Sequence, residues 1–129
     1  MIVDASALLA VLLDESDAPA FSEALCRADR LMMSAVKYLE VAIRVDRQDN
    51  IILLQKFDRI MEFLELLIEP VSLSQAGLGR GAYREYGRGR HPAGLNLGDC
   101  FAYALAKETA LPLLFKGNDF RQTDIEPVL

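Results

Sequence analysis

Two hydrophobic periods alternate along this chain. The run "MIV" is short and continuous and is closed by Asp4, which predicts a buried strand over residues 1–4. Ala, Leu and Val then recur at helical spacing as far as Leu13, which predicts a helix over residues 5–13. "SDAPAFSEALCRADR" predicts a second helix with Ser16 or Asp17 as N-cap and Pro19 in the first turn, where a missing N–H is harmless. "LMMS" at residues 31–34 predicts a short strand. Ser34 is placed to cap a third helix, whose apolar positions Ala35, Leu39, Ala42, Ile43 and Val45 form a stripe with Glu40 beside it rather than opposite.

The second half continues the alternation. Residues 51–68 predict a strongly amphipathic helix, with its acids and Lys56 on the polar side. "EPVSLS" at 69–74 predicts a strand, and residues 75–89 a helix, although Gly77, Gly79 and Gly81 each cost it about 1 kcal/mol relative to Ala. "RHPAGLNLG" is a loop and "DCFAYALAKETA" a helix of small and aromatic residues. "PLLF" at 112–115 is a strand, and "EPVL" at 126–129 predicts a last one. Strands alternating with helices define an α/β class with a mainly parallel central sheet covered by helices on both faces.

The length of 129 residues suits one domain, and 52% hydrophobic with 26% charged residues is a globular composition. No apolar stretch approaches the roughly 18–20 residues needed to span a bilayer, so no membrane association is expected. Asp4 interrupts the N-terminal apolar run and no basic segment precedes it, which argues against a signal peptide. Cys26 and Cys100 have no C-x-x-C spacing and are expected to be buried, reduced thiols of a cytoplasmic protein.

The net charge of −5 disfavours a nucleic-acid partner unless basic residues are concentrated locally. "RGAYREYGRGRH" supplies such a segment, with Arg80, Arg84, Arg88, Arg90 and His91 against Glu85 alone.

Four acids come from segments that such a sheet would bring to one end, outside the carboxyl ends of its strands. Asp4 ends the first strand, Glu40 follows the second, Asp99 opens a helix after Gly98, and Asp119 follows "PLLFKGN". Asp99 could simply serve the helix dipole and Asp119 a loop, whereas an acid at Asp4 has no common structural job; Ser6 could equally be a helix N-cap. Clustered carboxylates repel one another, and a divalent cation resolves the repulsion. All-oxygen ligation suits Mg²⁺ or Mn²⁺. The only histidine, His91, lies in a Pro/Gly loop and no G-x-S-x-G elbow is present, so a metal-activated water is the natural nucleophile.

The segments "MIVDASALLAVLLDE", "SAVKYLEVAI", "GRGRHPAGLNLGDCFAYALAK" and "PLLFKGNDFRQTDI" together resemble the PIN-domain toxins of bacterial VapBC toxin–antitoxin modules. The likeness runs over nearly the whole chain. It implies a three-layer PIN-like fold and a Mg²⁺- or Mn²⁺-dependent endoribonuclease that cuts structured RNA such as tRNA or rRNA, leaving 3′-hydroxyl and 5′-phosphate ends. It also implies a homodimer and a VapB-like antitoxin that blocks the site. Position by position, Asp4, Glu40 and Asp99 match the first three acids of the family. Asp119 matches the fourth, although Gly117 stands where many PIN domains keep another acid. Ser6 and Asn118 are expected to orient an acid or a water. Arg84, Arg88, Arg90 and Lys116 are candidates for steering RNA phosphates. Two other readings stand beside this one. A non-catalytic PIN module would act by RNA or partner binding alone. A phosphoacceptor receiver domain needs an Asp at the end of a central strand, but Asp46, Asp49 and Asp58 fall in or between helical segments.

Overall fold

A computed structural model describes all residues, 1–129. Four short strands, β1 (Ile2–Val3), β2 (Met32–Ser34), β3 (Leu67–Glu69) and β4 (Leu113–Leu114), form one sheet in the order β3-β2-β1-β4. Every pairing is parallel: Ile2 stands opposite both Met32 and Leu113, and Ser34 opposite Glu69. Six helices cover it: α1 (Ala5–Leu12), α2 (Ala18–Arg27), α3 (Ala35–Asp46), α4 (Ile51–Phe63), α5 (Leu73–Tyr86) and α6 (Leu97–Thr109).

The strand period of two divides the core. Val3, Met33 and Leu114 face α1 to α4 and pack with Leu8, Val41 and Phe57. Their neighbours Ile2, Met32 and Leu113 face the other way, toward α6, and pack with Leu95, Leu105 and Phe120. Each fully buried aliphatic side chain in these two layers contributes about 1.5–3 kcal/mol. This is the α/β fold with a parallel sheet flanked by helices that the alternation of periods predicts. Within the glycine-rich α5, Gly79 has a packing role: a Cβ there would stand 3.2 Å from the carbonyl oxygen of Cys100, a tight contact between α5 and α6.

Several boundaries differ from the sequence reading. The helix expected over 51–68 ends at Phe63, because Glu65 takes a left-handed conformation (φ 47°) and releases Leu66 into the core. The strand expected at 69–74 therefore lies at Leu67–Glu69, and Ser72 caps α5 by accepting from the Gln75 N–H. The strand expected at 126–129 is reduced to one bridge between Leu113 and Pro127. Of the two thiols, Cys100 is buried but Cys26 is exposed. Along α4, Phe57 is buried and Leu53, Leu54, Ile60 and Met61 pack against the core, as does Leu64 just beyond it, while Ile51, Ile52 and Phe63 are exposed. No helix is long and apolar enough to cross a membrane.

From β1 the chain builds outward through β2 to β3, then returns to place β4 on the other side of β1. The carboxyl end of β1 thus lies beside the point where the strand order reverses, the usual position of a ligand crevice in an open α/β sheet.

Candidate active site

Asp4 follows β1 directly and caps α1, its Oδ2 accepting from the Ser6 N–H at 2.9 Å and the Ser6 hydroxyl at 2.6 Å. Ser6 is therefore not the cap; its hydroxyl joins Asp4 to the chain beyond β4, accepting from the Lys116 N–H at 2.9 Å. Asp99 behaves in parallel. Its Oδ2 accepts from the Asn96 N–H at 2.9 Å while Asn96 Oδ1 accepts from the Asp99 N–H at 2.9 Å, a capping box at the start of α6. Structural and chemical roles do not compete in these two residues, because each commits one carboxylate oxygen to a helix end and turns the other inward.

The inward oxygens meet Lys37, a residue that sequence reasoning missed. Its ammonium stands 3.1 Å from Asp4 Oδ1 and 3.6 Å from Asp99 Oδ1, and it pairs with Glu40 Oε2. Lys37 is 3% exposed and Asp4 likewise 3%, so this charge cluster is largely removed from water. The signal available in the sequence was the spacing of three between Lys37 and Glu40, which puts both on one helix face. Asp4 Oδ1 and Glu40 Oε2 are buried, and no hydrogen bond of good geometry satisfies either one. Their neighbour is the Lys37 ammonium, which meets both as ion pairs.

Burial alone would push the Lys37 pKa down, but the charges of Asp4, Glu40 and Asp99 more than reverse this and hold it well above the usual lysine range. Burial raises the Asp99 carboxyl above its ordinary value, against the opposing hydrogen bond from Asn96 and the charge of Lys37; the charges of Asp4 and Asp119 add to the rise.

A cavity of about 400 Å³ opens over the cluster, lined by Asp4, Ser6, Lys37, Glu40, Asp99 and, toward its mouth, Arg44 and Arg47. These two arginines also escaped the sequence reading, which looked to the basic run after residue 80. Arg84, Arg88 and Arg90 do not line the cavity, and Arg90 lies over the Tyr83 ring instead. Lys116 is engaged elsewhere, its ammonium paired with Glu15 and with Asp17 at 2.9 Å.

Asp119 is exposed and makes no cap bond to the short 3-10 turn that succeeds it (Phe120–Gln122). It lies outside the Lys37 cluster, near enough for its charge to act on Asp99. Asn118 is exposed beside it and has no hydrogen bond to any of the acids. The structure thus gathers Asp4, Glu40, Asp99 and Ser6 at one point and leaves Asp119 and Asn118, both exposed, out of the cluster.

The donor set fits a hard divalent cation in kind, since it is all carboxylate and includes two buried oxygens without a hydrogen-bond partner. The spacing is that of an ammonium's partners. No three acidic, histidine or cysteine groups stand close enough together to share an ion directly.

A PIN-domain family model matches residues 1–126. Among known proteins, ribonuclease VapC28 of Mycobacterium tuberculosis is 48% identical over 130 residues, covering 100% of this chain and 98% of its own length. Ribonuclease VapC30 of the same organism is 46% identical, covering 99% of this chain and 98% of its own. The chain therefore belongs to the PIN-domain family, in its VapC branch. Two solved structures share the fold at low identity. M. tuberculosis VapC20, described as a sarcin-ricin loop cleaving toxin, superposes with a TM-score of 0.78 at 12% identity, covering 98% of this chain and 97% of its own. A toxin–antitoxin complex from Klebsiella pneumoniae gives 0.72 at 18% identity, covering 95% and 92%.

Proposed function

We propose that this protein is a Mg²⁺- or Mn²⁺-dependent endoribonuclease, the toxin of a type II toxin–antitoxin pair, that hydrolyses a phosphodiester in structured RNA such as tRNA or rRNA. The observation that carries this reading is the convergence of Asp4, Glu40 and Asp99, from three separate segments, on one buried point beneath an open cavity. The names of the VapC relatives support ribonuclease chemistry, and the Klebsiella complex supports an antitoxin partner.

Asp4, Glu40 and Asp99 would hold the ion, with Asp119 joining them directly or through water. When bound, the ion supplies Lewis acidity, acidifying a water and drawing charge from a phosphoryl oxygen. Ser6 fixes Asp4 by its 2.6 Å hydrogen bond and ties it to the segment beyond β4. Glu40, with 41% of its side chain exposed against 4% for Asp4 and 12% for Asp99, is the carboxylate able to take a proton from the attacking water and pass it to solvent. Arg44 and Arg47 bind the flanking phosphates at the cavity mouth. Attack opposite the 3′ oxygen breaks the P–O3′ bond; the departing oxygen takes a proton from solvent water, which leaves 3′-hydroxyl and 5′-phosphate ends.

For the antitoxin, and for a second copy of the chain, the exposed apolar side chains Ile51, Ile52 and Phe63 of α4 with Leu39 and Ile43 of α3 are available contact surface. The test is RNA cleavage by purified toxin with Mg²⁺ or Mn²⁺, with EDTA, and with Asp4→Asn and Asp99→Asn variants. Cleavage confined to the wild type with metal is the expected result. Undiminished cleavage by either variant removes the site assignment. RNA binding without any cleavage favours a non-catalytic module.

A further inference from the structure

Lys37 is out of place by every local rule. It is 3% exposed, and it occupies the third position of α3, where the positive end of the helix dipole disfavours a cation. What compensates it is the acid cluster itself: Asp4, Glu40 and Asp99 all direct an oxygen at its ammonium. An ammonium contacts carboxylates at about 2.7–3.1 Å, whereas Mg²⁺ takes oxygen at about 2.0–2.1 Å. The 3.1 Å to Asp4 suits the larger cation, with Asp99 a looser charge contact at 3.6 Å, and no three acids are close enough to share a smaller one.

We propose that Lys37 is the internal counter-ion of the metal-free acid cluster and that a divalent cation enters by displacing its ammonium toward the cavity. The proposal rests on the metal-dependent reading above. In that reading both cations need the same oxygens, Asp4 Oδ1 and Glu40 Oε2, which have no other partner to return to. Lys37 thereby keeps the site folded without metal and raises the metal concentration at which the site fills. The acid cluster becomes a two-state element, closed on lysine or open to metal.

The test compares full-length wild type, Lys37→Met and Lys37→Arg by Mn²⁺ titration calorimetry. Removing the competitor should tighten Mn²⁺ binding about tenfold or more in Lys37→Met, because the binding-competent form is then fully populated. Lys37→Arg should bind no better than wild type. Metal-free Lys37→Met should melt below the wild type and regain the difference with Mn²⁺. A second measurement needs no variant: reductive methylation of the wild type with formaldehyde and borane, read by mass spectrometry. Lys37 should be protected in EDTA and modified in Mn²⁺. Equal Mn²⁺ affinity in wild type and Lys37→Met, or Lys37 protected in Mn²⁺-loaded wild type, overturns displacement and leaves the metal reading standing. No Mn²⁺ uptake by either protein overturns both. If Lys37→Met fails to fold, the labelling of the wild type decides.

Discussion

The carboxylate of Glu40 occupies the space that a side chain at position 98 would fill: a Cβ on Gly98 would overlap Glu40 Oε1 and stand 2.9 Å from its Cδ. The glycine before Asp99 is thus a packing requirement of the site. It lets α3 present Glu40 against the first turn of α6, where the N-terminal dipole favours a carboxylate.

Gly98→Ala should separate activity from stability. Alanine favours a helix by about 1 kcal/mol over glycine, and Glu40 is a flexible side chain that can move aside. Thermal melting should therefore stay within a few degrees of wild type, while RNA cleavage falls about tenfold, roughly 1.4 kcal/mol of transition-state stabilisation. Wild-type cleavage by Gly98→Ala, followed on a gel, would show that the position of Glu40 is immaterial.

Asp4→Asn and Asp4→Ala should be equally inactive but unequally stable. Both lose the charge, and cleavage should drop on the order of a hundredfold, about 2.7 kcal/mol. Asparagine keeps an acceptor for the Ser6 N–H, so Asp4→Ala should be the less stable of the two by about 1 kcal/mol, the value of an N-cap. Ser6→Ala removes a hydroxyl that both donates to Asp4 and accepts from the Lys116 N–H, and should destabilise by about 1–3 kcal/mol. Denaturant unfolding of the three variants checks the order.

Arg44→Ala and Arg47→Ala should each raise KM for RNA and reduce the slope of log affinity against log salt by about 0.7–0.9, the range of one phosphate contact from single strand to duplex. Arg88→Ala and Arg90→Ala, outside the cavity, should change the slope less. Binding titrations with a catalytically silent Asp99→Asn background across a salt series test this. A larger effect at Arg88 and Arg90 would return the RNA path to the basic run after residue 80.

Away from the site, Asp124 accepts from Lys107 and from the Tyr103 hydroxyl, each at 2.8 Å. The Lys107 hydrogen bond outweighs burial and lowers the Asp124 pKa below its ordinary 3.8. A lowered carboxyl pKa gives stability that is present above the ordinary value and lost as pH falls through the folded one. Asp124→Asn should therefore flatten the acid limb of the stability profile below about pH 4, by about 0.2–1 kcal/mol since the pair is partly exposed. Burial first, then the Asp124 hydrogen bond, raises the Tyr103 pKa, so its contribution is full below the ordinary 10.0 and is lost as pH rises toward the folded value. Tyr103→Phe should flatten the alkaline limb. Melting curves across pH check both.

Hydrophobic period alone delivers the order of strands and helices and the class of the fold, because a strand or helix face is set by residues a few positions apart. The same local logic marks Asp4, Glu40 and Asp99, each at the edge of an apolar pattern that an acid interrupts. Where the pattern suits either period the local logic fails, as at Leu64–Ile68: the left-handed Glu65 ends α4, and Leu67–Glu69 joins the sheet as β3. The role of each charge lies further still from local reach. Lys37 reads as an ordinary helix lysine until β1 and α6 bring Asp4 and Asp99 to it. Arg84, Arg88 and Arg90 form the obvious basic run, yet Arg44 and Arg47 are the arginines beside the acids. Electrostatic energy depends on distances between segments remote in the chain and on the water excluded between them. Those quantities exist only after the sheet has folded.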